Sequence, residues 1–310
     1  MTVTSDTLEA DDAVRAEAGG SPLLEVSDLR VHLPTGEDEE VLAVSRVSLT
    51  VERGERVGIV GESGSGKSVT GRAIAGLLPG SPRVRVGGSV RLEGREMLGA
   101  PPSEWDRVRS ELVGMIFQDP LTFLNPVMRV GRQVAESIRT GTPREKEAEA
   151  QRFLALAGLD DVAELARRYP HELSGGMRQR VLIALAIAKL PQLIIADEPT
   201  TALDATVQAV VLKTLDETVR ELGTSLILIS HDLAVVASMT ERIYVMYRGR
   251  VVESGTTADV LTKPRHPYTQ ALLRSVRSLT DDDAELYSIP PTLRAELAAS
   301  LDEEDDDDAA

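Results

Sequence analysis

Apolar positions near the N-terminus of this 310-residue chain follow a strand-like spacing. Residues 23–33 and 41–51 are rich in Val and Leu, and their apolar residues partly alternate with polar ones, which is typical of strands with one buried face. The polar stretch PTGEDEE separates the two segments. We therefore expect them to pair as antiparallel strands.

Further along the chain, short apolar runs alternate with helical patterns. The runs are typical of buried strands and comprise RVGIV (56–60), LIIAD (193–197) and SLILIS (225–230). The predicted helices span residues 67–78, 175–189 and 205–222, with Pro79-Gly80 and Gly223 as stop signals. RIYVMYRGRVVES predicts a hairpin that turns at Gly249. Strands that alternate with helices indicate a parallel α/β core.

A different pattern covers residues 99–172, which contain the turn signals GAPPSEW and TGTP. A helix is predicted to open at Thr142-Pro143-Arg144-Glu145, because this stretch combines a capping box with proline at the first helical position. We expect a mostly helical subdomain that is inserted into the core.

Charge is distributed unevenly along the chain. The formal net charge is −16, of which residues 1–20 contribute −4 and residues 281–310 contribute −11. Acidic runs such as DEEDDDD (302–308) are typical of solvated tails, so both ends are predicted to be disordered. The remaining body is nearly neutral, which argues against nucleic-acid binding because that activity needs a basic surface.

Composition excludes several kinds of site. The chain has 42% hydrophobic and 27% charged residues, as is usual for a globular protein, and no cysteine. Disulfides, thiolate chemistry and Cys-ligated metal or iron–sulfur sites are therefore excluded. The N-terminus has no signal-peptide pattern, and the most apolar run, residues 181–188, is much shorter than the ~20 residues of a membrane span. We expect a cytoplasmic protein that reaches a membrane only through a partner.

The segment GESGSGKS (61–68) fits the pattern G-x-x-x-x-G-K-[ST] between a predicted strand and a predicted helix. Glycines let the backbone curl so that successive N–H groups face a phosphate at the helix N-terminus. Lys67 would supply positive charge to the β- and γ-phosphates, and the hydroxyl of Ser68 would lie near Mg²⁺. This pattern predicts a P-loop nucleotide site.

Four further residues are candidates for chemistry at a nucleotide. Asp197 ends a hydrophobic strand, where a carboxylate of a P-loop NTPase contacts Mg²⁺. Glu198 follows it and is suited to orient or deprotonate water, although a surface carboxylate in a turn fits the same position. His231 follows the strand at 225–230, at the edge where open α/β sheets bind ligands, but a single His is more often structural. Gln118 carries almost no information alone.

A second glycine-rich turn, LSGGMRQR (173–180), opens the helix predicted from Gly175. The N-terminal amides of that helix form another backbone site suited to an anion. One chain that holds one nucleotide would not need a second such site. The turn alone does not explain its function, but the order of the other motifs does.

The order and spacing of these motifs resemble those of the ATP-binding-cassette (ABC) ATPases over about residues 23–280. The residues that occur in that family's order are Lys67, Gln118, Ser174, Asp197, Asp204 and His231. Ser174 precedes Asp197 by 23 residues, and His231 follows Asp197 by 34 residues. The motifs are specific in combination: GESGSGKS, FQDP, LSGGMRQR, LIIADEPT, TALD and ISHDL.

Three longer segments narrow the resemblance. FQDPLTFLNPVMRVG (117–131), DEPTTALDATVQ (197–208) and KPRHPYTQALL (263–273) are similar to the dipeptide/oligopeptide/nickel importer family. LSGGMRQRVLIA and DEPTTALD resemble the D-type peptide subunit of that family more closely than its paired partner.

The resemblance implies a role for each site residue. ATP would contact Gly61, Ser63, Gly64, Ser65, Gly66, Lys67, Ser68 and Val69, and Mg²⁺ would be held through Ser68, Gln118 and Asp197. Glu198 is implied as the catalytic carboxylate and His231 as a γ-phosphate contact, with Gln118 and Lys67 as further catalytic residues. Ser174, Gly175 and Gly176 would face ATP bound by the opposite subunit, with Asp204 at the dimer seam.

The chain departs from the family's pattern in two places. Leu33 stands where most ABC ATPases have an aromatic residue that stacks on adenine, with His32 beside it. Many peptide-type subunits also end in a cysteine cluster suited to an iron–sulfur centre, whereas this chain has no cysteine. We therefore expect no iron–sulfur cluster. For adenine two alternatives stay open: it has no aromatic stacking partner, or a residue other than Leu33 supplies one.

The implied fold is an α/β P-loop NTPase cassette of the ABC type: a RecA-like parallel-sheet core with an N-terminal antiparallel β subdomain and an inserted helical subdomain. The expected division assigns residues 21–98 and 186–258 to the ATP-binding core and residues 99–185 to the helical subdomain. The remaining residues are assigned to a C-terminal extension (259–280) and to the two acidic tails (1–20 and 281–310).

The implied activity is ATP hydrolysis that powers uptake of di- or oligopeptides, or a related solute such as nickel. The expected partners are two transmembrane permease subunits, an extracytoplasmic solute-binding protein and a second ATPase subunit, a paired homologue rather than an identical chain. The expected location is the cytoplasmic face of the cell membrane.

A non-transport ABC ATPase acting on nucleic acid or the ribosome is one alternative function, and a regulatory module that does not hydrolyse ATP is another. The sequence does not identify the cargo.

Overall fold

The computed structural model describes residues 21–36, 39–201 and 203–280, together with the single positions 292 and 297. The acidic ends that the sequence predicts to be disordered lie outside the described residues, apart from those two positions. In chain order the described strands are β1 (Leu24–Pro34), β2 (Glu40–Val51), β3 (Arg56–Val60), β4 (Arg85–Leu92), β5 (Arg95–Glu96), β6 (Val113–Ile116), β7 (Leu193–Asp197), β8 (Ser225–Ser230), β9 (Arg242–Tyr247) and β10 (Arg250–Thr256).

The N-terminal sheet is antiparallel, with the strand order β2-β1-β4-β5. The predicted pairing of the first two strands is confirmed, since Leu24 lies opposite Val51. The sequence prediction missed β4 and β5, because the stretch from 85 to 96 is mostly polar and buries only Val90 and Leu92. Positive φ angles at Glu93 and its neighbour Gly94 form the tight turn that joins these two strands.

The larger sheet has the order β10-β9-β3-β8-β7-β6. Its neighbours from β9 to β6 are parallel, and β10 returns antiparallel to β9. The parallel core and the hairpin at Gly249 are therefore confirmed. Since parallel strands need long crossover connections, helices follow most of these strands.

The described helices have the following bounds. In chain order they are α1 (Lys67–Ile74), α2 (Pro102–Glu111), α3 (Pro120–Phe123), α4 (Val130–Ser137), α5 (Pro143–Leu156), α6 (Val162–Leu165), α7 (Gly175–Ile187), α8 (Ala205–Leu222), α9 (Leu233–Met239), α10 (Thr257–Thr262) and α11 (Pro267–Thr280), with a 3₁₀ turn at Pro170–Glu172. The predicted capping box at the start of α5 is present, with Thr142 and Glu145 bonded reciprocally. None of these helices is long and apolar enough to cross a membrane.

Helix α1 ends four residues before its predicted end. The amide of Leu77 bonds to the carbonyl of Arg72, and that of Gly76 bonds to Ala73. This pair of bonds with left-handed Gly76 is a Schellman motif, which ends a helix. The indole ring of Trp105 fills the space where a Cβ of Gly76 would lie, so the glycine also allows close packing.

The stretch expected to be mostly helical, residues 99–185, also contains β6. This strand pairs in parallel with β7 along Val113–Ile116 and so belongs to the larger sheet. Its four residues VGMI are too short a run to distinguish a strand from a helix turn by periodicity. Helices α4 to α7 pack on one another after this strand.

Alternate residues of the parallel strands face two different apolar clusters. Ile194 and Leu228 belong to the cluster that includes residues of α7 and α8, whereas Ile195 and Ile229 belong to the cluster shared with the antiparallel sheet. Both faces are covered, which explains why β7 and β8 are apolar along almost their whole length. The fold thereby leaves the carboxyl edge of the sheet free to carry polar side chains.

Candidate functional site

The polar residues singled out from the sequence converge at one edge of the larger sheet. The loop after β3 carries residues 61–66, and Gln118 lies just after β6. Asp197 ends β7, and His231 follows β8. Parallel strands end at the same edge, and ligands of open α/β sheets bind there. Four segments that are far apart in sequence thus meet in one site.

Glycines shape the loop of residues 61–66 because other chain segments approach it closely. A Cβ at Gly61 would lie 2.2 Å from the carbonyl oxygen of Met246, and one at Gly66 would lie 2.5 Å from that of Ala43. Both glycines and the exposed Gly64 have φ between +80° and +155°, where other residues are strained. The carbonyl of Ser65 accepts from the amide of Gly249 at 3.0 Å. Ser63 is exposed, and Val69 is half-buried on α1.

Lys67 is buried beneath this loop. Its ammonium donates to the carbonyl oxygens of Gly61 and Glu62, each at 2.8 Å, and reaches Ser65 Oγ at 3.4 Å. Burial lowers the pKa of Lys67, while the nearby carboxylate of Glu198 opposes this shift. The hydrogen bonds of this buried ammonium go to carbonyl and hydroxyl oxygens, so it is well placed to bind an anion that enters the loop.

Ser68 and Asp197 form the next part of the site. The hydroxyl of Ser68 donates to Asp197 Oδ1 at 2.6 Å, and Arg72 lies 3.7 Å from Asp197 Oδ2. The side chain of Asp197 is only 1% exposed, and burial raises its pKa despite the Ser68 hydrogen bond. Mg²⁺ prefers oxygen ligands and usually takes one or two from protein and the rest from phosphates and water. The adjacent oxygens of Ser68 and Asp197 fit that ion.

Three side chains meet at one carboxylate oxygen of Glu198. Oε2 lies 2.8 Å from Thr201 Oγ1, 3.4 Å from His231 Nδ1 and 3.5 Å from Gln118 Nε2. The backbone of Glu198 is left-handed, with φ of 46°, and its amide bonds to the carbonyl of Ile229 at 2.9 Å. Non-glycine residues seldom adopt this conformation, and such strain concentrates at functional sites. The structure therefore brings Gln118 and His231 together at the carboxylate of Glu198.

The second glycine-rich turn begins α7. Ser174 caps this helix by accepting from the amide of Met177 at 3.3 Å. Gly176 packs on α8, since a Cβ there would lie 2.4 Å from Val207 Cγ1. Ser174 and Gly175 are exposed, and no hydrogen bond within the described residues joins either of them or Gly176 to the loop of residues 61–66.

Asp204 caps α8 by accepting from the amide of Val207 at 3.0 Å. The carboxylate is exposed. Asp204 therefore stabilises the start of α8, the helix that packs against Gly176 of the second glycine-rich turn.

Sequence reasoning missed four residues that contact the site. Thr201 binds Glu198, and Arg72 lies beside Asp197. Gln179, which is almost fully buried, donates to the carbonyl of Phe117 at 3.2 Å and so links α7 to the segment that holds Gln118. Tyr268 accepts from the amide of Glu62 at 3.0 Å. Thr201 and Gln179 lie inside recognised motifs, but no sequence signal indicated which atoms they contact.

Leu33, at the position where the family has an aromatic residue, lies in β1 opposite Val41 of β2. It packs against the apolar cluster of the antiparallel sheet. Val41 is exposed.

Comparisons with known proteins agree on one family. The family described as "ABC transporter" matches residues 44–201, and the "Oligopeptide/dipeptide transporter, C-terminal region" matches residues 252–300. The chain is 46% identical over 284 residues to the oligopeptide transport ATP-binding protein OppD of Salmonella typhimurium, covering 91% of this chain and 84% of that protein. It is 50% identical to the probable D,D-dipeptide transport ATP-binding protein DdpD of Escherichia coli, covering 82% and 78%.

Solved structures show the same fold. The dimeric post-hydrolysis state of the ATP-binding cassette MJ0796 bound to ADP and Pi matches with a TM-score of 0.67 and 28% identity, over 76% of this chain and 98% of that chain. The cbiO1 structure from Clostridium perfringens, part of the ABC transporter complex cbiONQ, matches with a TM-score of 0.65 and 26% identity, over 78% of this chain and 91% of that chain.

Proposed function

This chain belongs to the ABC transporter ATP-binding family, and from that premise we propose that it is the ATP-hydrolysing subunit of an importer for oligopeptides or dipeptides. The observation that carries the proposal is the meeting of Lys67, Asp197 and Glu198 at one sheet edge. The names of the relatives, oligopeptide and D,D-dipeptide transport ATP-binding proteins, support the peptide cargo.

The loop of residues 61–66 and the start of α1 would bind the phosphates of ATP. The backbone from Gly61 to Gly66, with Ser63 and Ser65, would face the phosphates. Lys67 would offer its ammonium to the β- and γ-phosphates while it still donates to the carbonyl of Gly61. Ser68 and Asp197, with Gln118 nearby, would hold Mg²⁺, which supplies charge neutralisation of the phosphates.

Glu198 would act on the attacking water. The water oxygen attacks the γ-phosphorus, the bond from that phosphorus to the β–γ bridging oxygen breaks, and ADP leaves with the bonding electrons. Glu198 accepts the proton that the water loses, and His231 contacts the γ-phosphate from the adjacent strand end. Positioning and charge neutralisation dominate such a transfer, so the contacts to Glu198 Oε2 are central to it.

The second glycine-rich turn would serve a nucleotide on another subunit. Ser174 and Gly175 are exposed at the N-terminus of α7, where helix amides favour an anion. They make no hydrogen bond to the chain's own loop of residues 61–66 within the described residues, and the related cassette MJ0796 is dimeric. We propose that Ser174, Gly175 and Gly176 complete the site of a paired homologous ATPase, with Asp204 near the seam.

An exposed apolar patch lies directly after Gln118 and would contact a permease subunit. Its members are Leu121, Phe123 and Val127, which are 56%, 46% and 82% exposed. Phe123 stacks on Phe117, with ring centroids 3.6 Å apart, so the patch is joined to the segment that holds Gln118. Exposed apolar clusters mark interaction surfaces. A permease bound here would hold the chain at the cytoplasmic face of the membrane and sense the nucleotide site through Gln118.

Transport activity in a reconstituted complex tests this function. The purified chain is combined in liposomes with its paired ATPase, the two permease subunits and the solute-binding protein. We expect ATP hydrolysis to rise when the binding protein carries an oligopeptide or a dipeptide, together with uptake of that peptide. Stimulation by Ni²⁺ and not by peptides would contradict the proposed cargo, and absence of any ATP hydrolysis would contradict the proposal as a whole.

A further inference from the structure

The C-terminal extension touches the phosphate loop through one buried side chain. Tyr268, in the first turn of α11, is fully buried, and its hydroxyl accepts a hydrogen bond from the amide of Glu62 at 3.0 Å. These two residues are 206 positions apart in the chain. The loop of residues 61–66 is thus supported by a segment outside the nucleotide-binding motifs.

The segment before α11 is fixed to the sheet. The carboxylate of Glu253, on β10, is buried and accepts from the amides of Arg265 and His266 at 2.7 and 3.1 Å. His266 Nδ1 in turn accepts from the amide of Tyr268 at 3.2 Å, which requires the neutral imidazole that burial favours by lowering its pKa. The rings of Tyr268 and Tyr247, which lies on β9, pack together with their centroids 4.4 Å apart. The hydroxyl of Tyr268 is therefore held in place from several sides.

The hydrogen bond from Glu62 fixes one particular peptide unit. The amide of Glu62 and the carbonyl of Gly61 belong to the same planar group. That carbonyl accepts from Lys67 Nζ at 2.8 Å, while the amide donates to Tyr268. The unit between Gly61 and Glu62 is held at both ends, by the catalytic lysine on one side and by the C-terminal extension on the other.

This peptide unit needs such a constraint because the residue on its N-terminal side, Gly61, is a glycine. Glycine has no Cβ to restrict rotation of the following peptide, and Gly61 already has φ of 155°. If the peptide rotated, the carbonyl of Gly61 would turn away from Lys67 and the ammonium would lose one of its carbonyl partners. The hydrogen bond from the amide of Glu62 to the hydroxyl of the buried Tyr268 opposes that rotation.

We propose that Tyr268 is a positioning residue of the nucleotide site, which orients the Gly61–Glu62 peptide and through it Lys67. This inference rests on the proposed role of residues 61–68 in phosphate binding. It makes the start of the C-terminal extension a functional part of the ATP site, so a change that displaces α11 changes ATP affinity.

The test is the variant Tyr268→Phe in the full chain, which removes only the hydroxyl. Mg-ATP and Mg-GTP binding are measured by calorimetry, and thermal unfolding is measured without nucleotide. Loss of one hydrogen bond of typical strength predicts an increase in Kd of about three- to tenfold. The factor is expected to be the same for both nucleotides, since the affected contacts are to phosphates.

The matched control is Tyr244→Phe. Tyr244 is a buried tyrosine of β9 whose hydroxyl bonds to the backbone of Thr50, away from the loop. We expect this variant to lower thermal stability and to leave the Kd for Mg-ATP unchanged. An unchanged Kd for Tyr268→Phe, or an equal increase for both variants, overturns the proposal. Failure of the unaltered chain to bind Mg-ATP would instead contradict the proposed function.

Discussion

Thr201 donates a hydrogen bond to Glu198 through their side chains, with Thr201 Oγ1 2.8 Å from Glu198 Oε2. Both residues lie in the turn that follows β7, and the amide of Thr201 also bonds to the carbonyl of Glu198 at 3.3 Å. This contact fixes the carboxylate whose same oxygen faces His231 and Gln118. Thr201 thereby restrains the direction of the Glu198 carboxylate.

Replacing Thr201 tests this contact. Thr201→Val keeps the shape and removes the hydroxyl, and hydrogen bonds to charged groups contribute about 1.5–3 kcal/mol. We expect kcat for ATP hydrolysis in the assembled complex to fall by at least about tenfold, with little change in the affinity for Mg-ATP. Thr201→Ser keeps the hydroxyl and should restore most of the rate. Equal rates for the Val and Ser variants would show that the hydroxyl has no part in positioning Glu198.

Glu198→Gln tests the proposed base. The amide keeps the size of the side chain but cannot accept a proton from water, so we expect Mg-ATP binding to persist while turnover falls by at least about 10²-fold. Closed complexes with the partner ATPase should accumulate, which gel filtration with Mg-ATP detects. The exposed Glu217 of α8 provides a control, and Glu217→Gln should hydrolyse ATP normally. Normal turnover in Glu198→Gln would exclude Glu198 as the base.

Asp197→Asn is expected to stabilise the nucleotide-free chain. Because burial raises the pKa of Asp197, the folded chain retains this proton at pH values where the unfolded chain has released it. The stability that the protonated carboxyl contributes is complete below the unfolded pKa and is lost as pH rises through the folded pKa. Above the unfolded pKa the buried carboxyl therefore lowers the stability of the fold relative to low pH. Asparagine does not ionise, so it avoids this loss while it still accepts from Ser68.

The measurement for Asp197→Asn is the free energy of unfolding between about pH 4 and pH 8. The gain over the unaltered chain should grow with pH, while the affinity for Mg²⁺ in the presence of ATP falls. Asp204→Asn is the control, because that carboxylate is exposed and asparagine caps a helix equally well. A gain that is independent of pH, or a loss of stability at neutral pH, would contradict the prediction.

Gly176→Ala tests the packing of α7 on α8. The added Cβ would lie 2.4 Å from Val207 Cγ1, and overpacking of this kind costs about 1–3 kcal/mol of stability. Val207→Ala removes the methyl groups that the new Cβ would meet. We therefore expect Gly176→Ala to cost much less stability in the Val207→Ala chain than in the unaltered chain. Denaturant unfolding of the four chains measures the coupling. Additive effects would show that the two positions do not contact each other as described.

Phe123→Ser tests the apolar patch after Gln118. We expect the variant to bind Mg-ATP as the unaltered chain does and to co-purify with the permease subunits in clearly lower yield, because the apolar contact is lost. Val86→Ser, which removes an exposed apolar side chain from β4 in the antiparallel sheet, should assemble normally. Normal assembly of Phe123→Ser would place the permease contact elsewhere.

The sequence by itself determined the elements whose signals are local. RVGIV, LIIAD and SLILIS form strands at the predicted residues, because runs of apolar residues with this length suit strands buried on both faces. The start of α5 follows from the capping box at Thr142. The phosphate-loop motif with Lys67 and the strand-end position of Asp197 were also recognised from the sequence, whereas the roles of Glu198 and His231 came only from the family resemblance. All four roles remain predictions.

Only the tertiary structure decided the contacts between segments that are far apart in the chain. The short strand β6, the early end of α1 at Gly76 and the polar strands β4 and β5 depend on neighbours that a local pattern does not encode. The same is true of Tyr268, whose hydroxyl meets Glu62 across 206 residues. Periodicity reports which face of an element is buried, whereas the partner that covers it, or the atom that a buried hydroxyl bonds, is fixed only when the sheet order brings the segments together.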